Sequence, residues 1–379
     1  MISISTIDRP LAAFVGLGLI SLLLPIGFTP DAVSLHWYNL PVSFAFMAAG
    51  IGIAIYQLLF KRDNLAIAVL ILMGVIFCGG AVLSVIEKEL EQGITAAGIW
   101  LFVVALGLYA WRAMEMLSSH ADHNLLIKIA VPTSFGLWLI FLWQVVTTGF
   151  EIPSVLLPSP VQIGAAIAGN LDTLAADFYQ TYVKSVLSGF AMGCGSGFIV
   201  AILVDRVPFL QRGLLPLGSL VSAIPIVGIA PIMVMWFGFD WQSKAAVIVV
   251  MTFFPMLVNT LAGLQATSHL EKDLMRSYAA TYFQTMLFVR LPNALPFIFN
   301  ALKINSTLAL IGAIVAEFFG TPIVGMGFRI STEVGRMNVD VVWASIAVAA
   351  VAGSLSYGLL ALLERSMTFW HPSYRGARN

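Results

Sequence analysis

Charge is what this sequence has least of. Only 10% of its 379 residues are Asp, Glu, Lys or Arg, against 59% hydrophobic, where a soluble domain carries about 25% charged residues. That balance excludes a water-soluble globular protein and makes the chain an integral membrane protein. The 19 basic and 19 acidic residues cancel, so no excess of positive charge points to nucleic acid. Cysteine is nearly absent. Cys78 and Cys194 both sit inside apolar runs, which excludes a disulfide framework or zinc spacing and leaves two small buried hydrophobes. The five histidines, His36, His120, His123, His269 and His371, lie outside the centres of the apolar runs and make no metal-ligand spacing. No Ser/His/Asp arrangement is present to support a membrane enzyme. No lysine follows a glycine anywhere, so the Gly-Lys of a phosphate-binding loop is missing. The chain is therefore expected to bring no ATPase of its own and to bind no cofactor.

What is abundant is membrane filling. A helix that crosses a bilayer needs about 20 mostly apolar residues. Ten segments qualify: 10–28, 41–60, 65–86, 95–117, 127–149, 185–204, 213–237, 243–263, 293–319 and 340–364. The first run lacks a small-residue cleavage site and is expected to be a retained span. The span 213–237 is the least regular, with Pro216 near its first turn and Pro225 and Pro231 deeper. Each deep proline removes a backbone donor, and a broken helix at membrane depth needs protein or a cavity to cover it. Trp37, Trp100, Trp111, Trp241 and Trp370 lie near the run ends, as an aromatic belt requires.

Basic residues set the orientation. With the N-terminus in the cytoplasm, the inner side collects Arg9, Lys61, Arg62, Arg112, Lys128, Arg206, Arg212, Lys272, Arg276, Arg290, Arg365, Arg375 and Arg378. The outer side collects only Lys88, Lys184, Lys244, Arg329 and Arg336. Both termini and the polar segment 264–292 are thus expected in the cytoplasm. Two regions follow: four spans in 1–118, then, beyond the polar link 118–124, six spans in 126–379 with expected outer loops at 150–184 and 320–339. No internal repeat is visible, which weighs against carriers built from inverted repeats.

The polar segment is the most informative stretch. On a helical wheel from Asp273, the residues Arg276, Ser277, Ala280, Thr281 and Gln284 share one face and Leu274, Met275, Tyr278, Ala279, Tyr282 and Met286 the other. The pattern is amphipathic as far as Gln284, and Leu291-Pro292 is expected to end the element. A connecting helix at the membrane surface accounts for such a pattern, and so does a helix on which another protein docks.

The spacing resembles the EAA loop of binding-protein-dependent ABC importer permeases. Asp273 stands where that family has Glu, Leu274 and Met275 where it has two alanines, and Ala279 where it has glycine; Leu291-Pro292 matches the loop's end. Alanine at 279 leaves two shapes open, a bend or one smoother helix. Leu157-Pro158-Ser159-Pro160 resembles a run in the nitrate/sulfonate/bicarbonate class of these permeases. Ala223-Ile224-Pro225, Ala230-Pro231 and Trp236-Phe237-Gly238 are similar to that class's third core span. Phe254-Pro255 with Asn259-Thr260, and Ile314 to Phe318, are similar to its fourth and fifth. The strings occur in the family's order over roughly 126–372, and residues 1–118 lie outside the resemblance.

The resemblance implies an all-α polytopic permease, a six-helix core with four extra N-terminal helices, in a bacterial-type cytoplasmic (inner) membrane. It implies a dimer of permease subunits, here a homodimer, with two ABC ATPase subunits that hold ATP-Mg and an extracytoplasmic solute-binding protein. Asp273, Arg276, Ser277, Tyr278, Ala279, Ala280, Gln284, Leu291 and Pro292 become the ATPase-coupling residues. The implied solutes are small: nitrate, sulfonates such as taurine, bicarbonate, or pyrimidine-type precursors.

Polar residues inside spans are candidates for the pathway. They are Ser222 and Pro225 at the broken span, Asn259, and the cluster Lys303, Asn305, Ser306 and Thr307. Lys303 suits an anionic solute or a snorkelling cation, and the others suit a pathway or hydrogen bonds between helices. Glu317 falls at an outer span end, where a solvated carboxylate is expected. An ion-coupled carrier is the alternative function and calls for carboxylates at mid-membrane, whereas Glu317, Asp340 and Glu364 all fall near span ends. A non-transporting scaffold gives no reason for the broken span or the docking helix.

Overall fold

The long apolar runs fold as helices because a backbone in lipid must satisfy its own hydrogen bonds. The computed structural model describes residues 8–30, 33–60, 64–90, 94–120, 125–222, 224–320 and 323–370. The inner-side charges Lys61, Arg62, Arg375 and Arg378, residues 121–124 of the link, His123, His371 and Ala223 lie outside the described residues, as does the side chain of Ser222. Among the described residues, eight helices are long and apolar enough to cross a membrane, and three apolar helices are shorter. The chain is an all-α polytopic membrane protein. It divides into two compact units, Met1–Gln162 and Ile163–Asn379.

The first unit holds α1 (Arg9–Leu23), α2 (Pro41–Phe60), α3 (Leu65–Ser84), α4 (Ala97–Ser119) and α5 (Leu125–Gly149). Its core centres on Phe14, stacked on Tyr109 with ring centroids 4.1 Å apart, and on the fully buried Trp37 against Phe102. Three two-residue strands, β1 (Gly27–Phe28), β2 (Ser34–Leu35) and β3 (Ile94–Thr95), close one end in the antiparallel order β2-β1-β3. Gln144 of α5 is buried and donates to Glu87 Oε1 at 3.1 Å, while its own Oε1 accepts from the Val161 amide at 3.1 Å. One side chain thus ties the π-helical stretch after α3 to Val161, the residue that follows the Leu-Pro-Ser-Pro run. The run 10–28 is expected as a full span, but its helix stops at Leu23 and the chain then enters the small sheet.

The expected outer loop at 150–184 is largely helical. Residues 160–169 form α6 (Pro160–Gly169), and α7 (Leu171–Phe178) runs through a π-helical stretch, Tyr179–Val186, into α8 (Leu187–Arg206). The second unit continues with α9 (Pro208–Ser222), α10 (Ile226–Phe237), α11 (Trp241–Gln265), α12 (His269–Ser277), α13 (Tyr282–Thr285), α14 (Leu291–Glu317), α15 (Met326–Gly335) and α16 (Val339–Met367). Its centre is α11, packed between α8 and α14. The expected span 213–237 is two helices. Pro225, with extended ψ of 126°, caps α10 from outside, whereas Pro231 sits within it. The break falls at the first deep proline because the residue before a proline is pushed out of the helical region.

Candidate functional site

The segment between α11 and α14 is two short helices with a sharp turn. Ser268 caps α12 in a reciprocal box: its hydroxyl accepts from the Glu271 amide at 3.2 Å, and Glu271 Oε2 accepts from the Ser268 amide at 2.9 Å. That bond from the Ser268 amide holds the Glu271 carboxyl below its ordinary range, with Asn293 assisting. Thr281 and Gln284 repeat the box at α13. Between them Ala279 takes φ +52°. Its amide bonds to the Arg276 carbonyl at 2.9 Å and the Ala280 amide to the Met275 carbonyl at 3.0 Å. These are the two bonds of a Schellman motif, in which the left-handed residue is usually glycine. The bend is therefore present with alanine in the glycine position. Consequently the continuous wheel through Gln284 holds only as far as Ser277; Thr281 and Gln284 belong to a second axis. An alanine held at positive φ costs stability that glycine does not. Ala279→Gly is expected to stabilise the turn by about 1 kcal/mol, read as slower amide exchange at Ala280 and Thr281.

Leu291-Pro292 does not end the element. The helix continues from Tyr282 to Glu317, with a π-helical turn over Met286–Arg290 just before the proline. A proline ring clashes with the carbonyl four residues back, and the wider turn carries the chain past it. Pro296 likewise lies inside α14.

The outer surface of this elbow is exposed. Asp273 and Arg276 pair at 3.2 Å in solvent, and Ser277 and Gln284 are exposed beside them. Ala280 is half-buried. Leu270, Leu274, Tyr278 and Phe283 are exposed large apolar side chains, Leu270 at 83% and Tyr278 at 77%. The inner surface is anchored: Asn293 donates to Glu271 at 3.0 Å, and Arg290 reaches Asp205 and Leu264.

The candidate pathway residues do not converge on one cavity. Asn259 donates to the Pro255 carbonyl of its own helix at 2.8 Å. Lys303 pairs with Glu364 of α16 at 2.7 Å. Asn305 is fully buried and donates to the Thr252 carbonyl at 2.8 Å and to Cys194 Sγ at 3.2 Å, joining α14 to α11 and α8. Ser306 and Thr307 donate to carbonyls of their own helix, and Thr307 is exposed. Beside Pro225 lies an apolar cleft of about 270 Å³ lined by Ile224, Ile226, Met251, Pro255 and Leu308, among others. Among the described residues no group of three His, Cys, Asp or Glu is placed to hold a metal.

The second polar site is one that the sequence did not signal. Glu317 is 2% exposed, not a solvated span end. Its carboxylate accepts from Thr181 Oγ1 at 2.8 Å and from the Gly327 amide at 2.7 Å. Asp177, fully buried, accepts from the Gly325 amide and from Arg329 Nε, both at 2.8 Å. Thr181 Oγ1 accepts from the Met326 amide at 2.8 Å. The opening amides of α15, orphaned in any helix, are thus met by three side chains from α7, the π-helical stretch and α14. Lys244 is buried nearby and donates to the carbonyls of Phe239, at 2.6 Å, and Gly320. Gln180 donates to Asp240 at 2.7 Å and holds that carboxyl below its usual range.

Membrane-crossing helices with an exposed, doubly capped elbow and a sealed polar joint describe a polytopic membrane subunit. Residues 193–369 match the model of the binding-protein-dependent transport system inner membrane component. The chain is 31% identical over 243 residues to a formylaminopyrimidine transport permease protein of Halalkalibacterium halodurans, covering 63% of this chain and 95% of the relative. It is 29% identical over 241 residues to a putative aliphatic sulfonates transport permease protein of Bacillus subtilis, covering 63% and 86%. It is 29% identical over 239 residues to a taurine transport system permease protein of Escherichia coli, covering 62% and 86%. The chain belongs to the binding-protein-dependent ABC importer permeases, in the class of the sulfonate and taurine proteins. It is a multi-pass inner membrane subunit and a transport component, a family that works with ATPase and binding-protein partners.

Proposed function

We propose that this subunit carries a small solute from an extracytoplasmic binding protein into the cytoplasm, and that a separate ATPase subunit docks on the α12–α13 elbow. The carrying observation is that elbow: two capped helices meeting at Ala279, with Leu270, Leu274, Tyr278 and Phe283 exposed around a polar rim. Exposed apolar clusters rimmed by polar groups are a mark of protein interfaces. Asp273, Arg276, Ser277, Tyr278, Ala279, Ala280 and Gln284 form the contact, and Leu291 and Pro292 open α14 behind it. ATP-Mg is held by the ATPase, and this chain binds no cofactor. Two copies of the permease make the pathway, as a homodimer, with both termini in the cytoplasm.

The permease region is 126–379, with its coupling segment at 264–292. Residues 1–118 are an addition that packs on α5. Ser222, Pro225, Asn259, Lys303, Asn305, Ser306 and Thr307 flank the pathway. Support for the Pro225 end of this set comes from the break there beside the apolar cleft. The solute class is that named for the relatives, sulfonates such as taurine or a pyrimidine precursor, with nitrate and bicarbonate in the same chemical range. Purification of the tagged chain from its native membrane, with mass spectrometry of what accompanies it, tests the assembly. An ATPase subunit in equal amount is expected. A chain that purifies without one contradicts the proposal.

A further inference from the structure

Beneath the elbow, three spans meet at one guanidinium. Arg290, in the π-helical turn that leads into α14, donates from Nη1 to Asp205 Oδ2 and from Nη2 to Asp205 Oδ1, both at 2.7 Å. The same group donates from Nη2 and Nε to the Leu264 carbonyl, at 3.1 and 3.3 Å. Asp205 lies in the last turn of α8 and Leu264 in the last turn of α11. The Arg290 and Asp205 side chains are only 13% and 5% exposed. Tyr282, the first residue of α13, donates its hydroxyl to Asp205 at 3.3 Å, and Arg206 lies 5.1 Å from the centre of the Tyr282 ring.

A cation that only neutralises helix ends does not need this geometry. The last carbonyls of a helix are orphaned and carry partial negative charge, so a lysine near Leu264 serves as well. A planar fork that satisfies both oxygens of one carboxylate fixes direction as well as distance. The π turn also has a purpose here, since an extra residue in a turn re-aims the side chains that follow it. Fork, carbonyl and tyrosine together join the base of the elbow to α8, α11 and α14.

We infer that the Arg290–Asp205 fork is a transmission joint that makes α8, α11 and α14 follow the α12–α13 elbow as one body. The inference rests on the reading of the elbow as the ATPase dock. Arg290 and Asp205 act through the spans they hold; they are positioning residues and touch neither solute nor nucleotide.

The experiment uses the full chain in lipid nanodiscs, alone and with its ATPase, with spin labels at Lys272→Cys on α12 and Val207→Cys just after α8. The two native cysteines, both buried, are replaced by Cys78→Ala and Cys194→Ala. Without the joint substitutions, the distance distribution is expected to be narrow and to stay at the same mean when MgATP and vanadate trap the ATPase. Arg290→Lys, which keeps the charge and loses the fork, is expected to broaden it in the chain alone. With the ATPase still retained, trapping then shifts its mean, because the elbow moves without α8. Asp205→Asn behaves likewise, and the reversed pair Asp205→Arg with Arg290→Asp restores a narrow distribution. Equal widths in all variants, or a broad distribution in the reversed pair with the chain still inserted, overturn the joint. The chain-alone arm needs no ATPase. Failure of the unmodified elbow to retain the ATPase therefore counts against the docking reading, and the width comparison still decides the joint.

Discussion

Ala280→Arg is expected to abolish solute uptake while the protein inserts in the membrane at its normal level. Ala280 is half-buried at the turn between α12 and α13, where its amide closes the Schellman motif on the Met275 carbonyl. A methyl group there lets a partner surface come close to the elbow's backbone. An arginine fills that approach and places a charge among the exposed Tyr278 and Phe283. Interfaces concentrate their energy in a few central, well-packed contacts, and losing one costs about 2–4 kcal/mol, which is about 30- to 1,000-fold in affinity. The substitution leaves the backbone bonds of the turn in place, so the folded spans are unaffected. The check is paired: ATPase retained by the purified complex, and uptake in the same membranes. Ordinary association together with ordinary uptake removes Ala280 from the dock.

Glu317→Ala is expected to cost about 3 kcal/mol or more, because it leaves a buried amide and a buried hydroxyl without an acceptor. Those donors are the Gly327 amide and Thr181 Oγ1, and Thr181 is also the acceptor for Met326. Loss of one carboxylate therefore loosens the whole start of α15. Gly327→Val strikes the same joint sterically, since a Cβ at 327 runs into the Ile314 carbonyl. Glu317→Gln keeps an acceptor oxygen and is expected to lose much less. Thermal unfolding in detergent, together with protease sensitivity of residues 326–335, separates the three variants. An unfolding temperature for Glu317→Ala equal to that of the unmodified protein contradicts the account of this joint.

The two sites differ in how far the sequence disclosed them. The elbow was legible because its residues are polar against an apolar background and because Asp273 and Leu291-Pro292 keep a recognisable spacing. Its shape was less so. A single wheel through 273–284 spans residues that lie on two axes, because the turn at Ala279 is made by backbone hydrogen bonds and a positive φ that alanine does not advertise. Likewise Leu291-Pro292 reads as a stop on local rules, whereas a π turn absorbs the proline.

The sealed joint was illegible for a different reason. Asp172, Asp177, Gln180, Thr181 and Lys184 give 171–186 the polarity of a loop. Asp177, Gln180 and Thr181 are nevertheless buried in a helical stretch, because their partners are Arg329, Asp240 and Glu317, between 60 and 152 residues away. Hydropathy counts a polar residue as wet; only the fold says that it is paired. The same blindness made Glu317 a solvated span end and gave no sign that Lys303 pairs with Glu364. The spans fared better, since length and apolarity are local properties. The exceptions are the run that stops at Leu23 and the one divided at Pro225.

On the proposed reading, an ATPase docked on the elbow drives this permease, and an ion gradient does not. Membrane vesicles from cells expressing the whole importer test it most directly, using the labelled solute that its binding protein carries. Uptake is measured once with ATP supplied on the elbow side and all ion gradients collapsed, and once with the gradients held and ATP removed. Accumulation is expected in the first condition and none in the second. Accumulation that survives ATP removal and disappears with the gradient contradicts it.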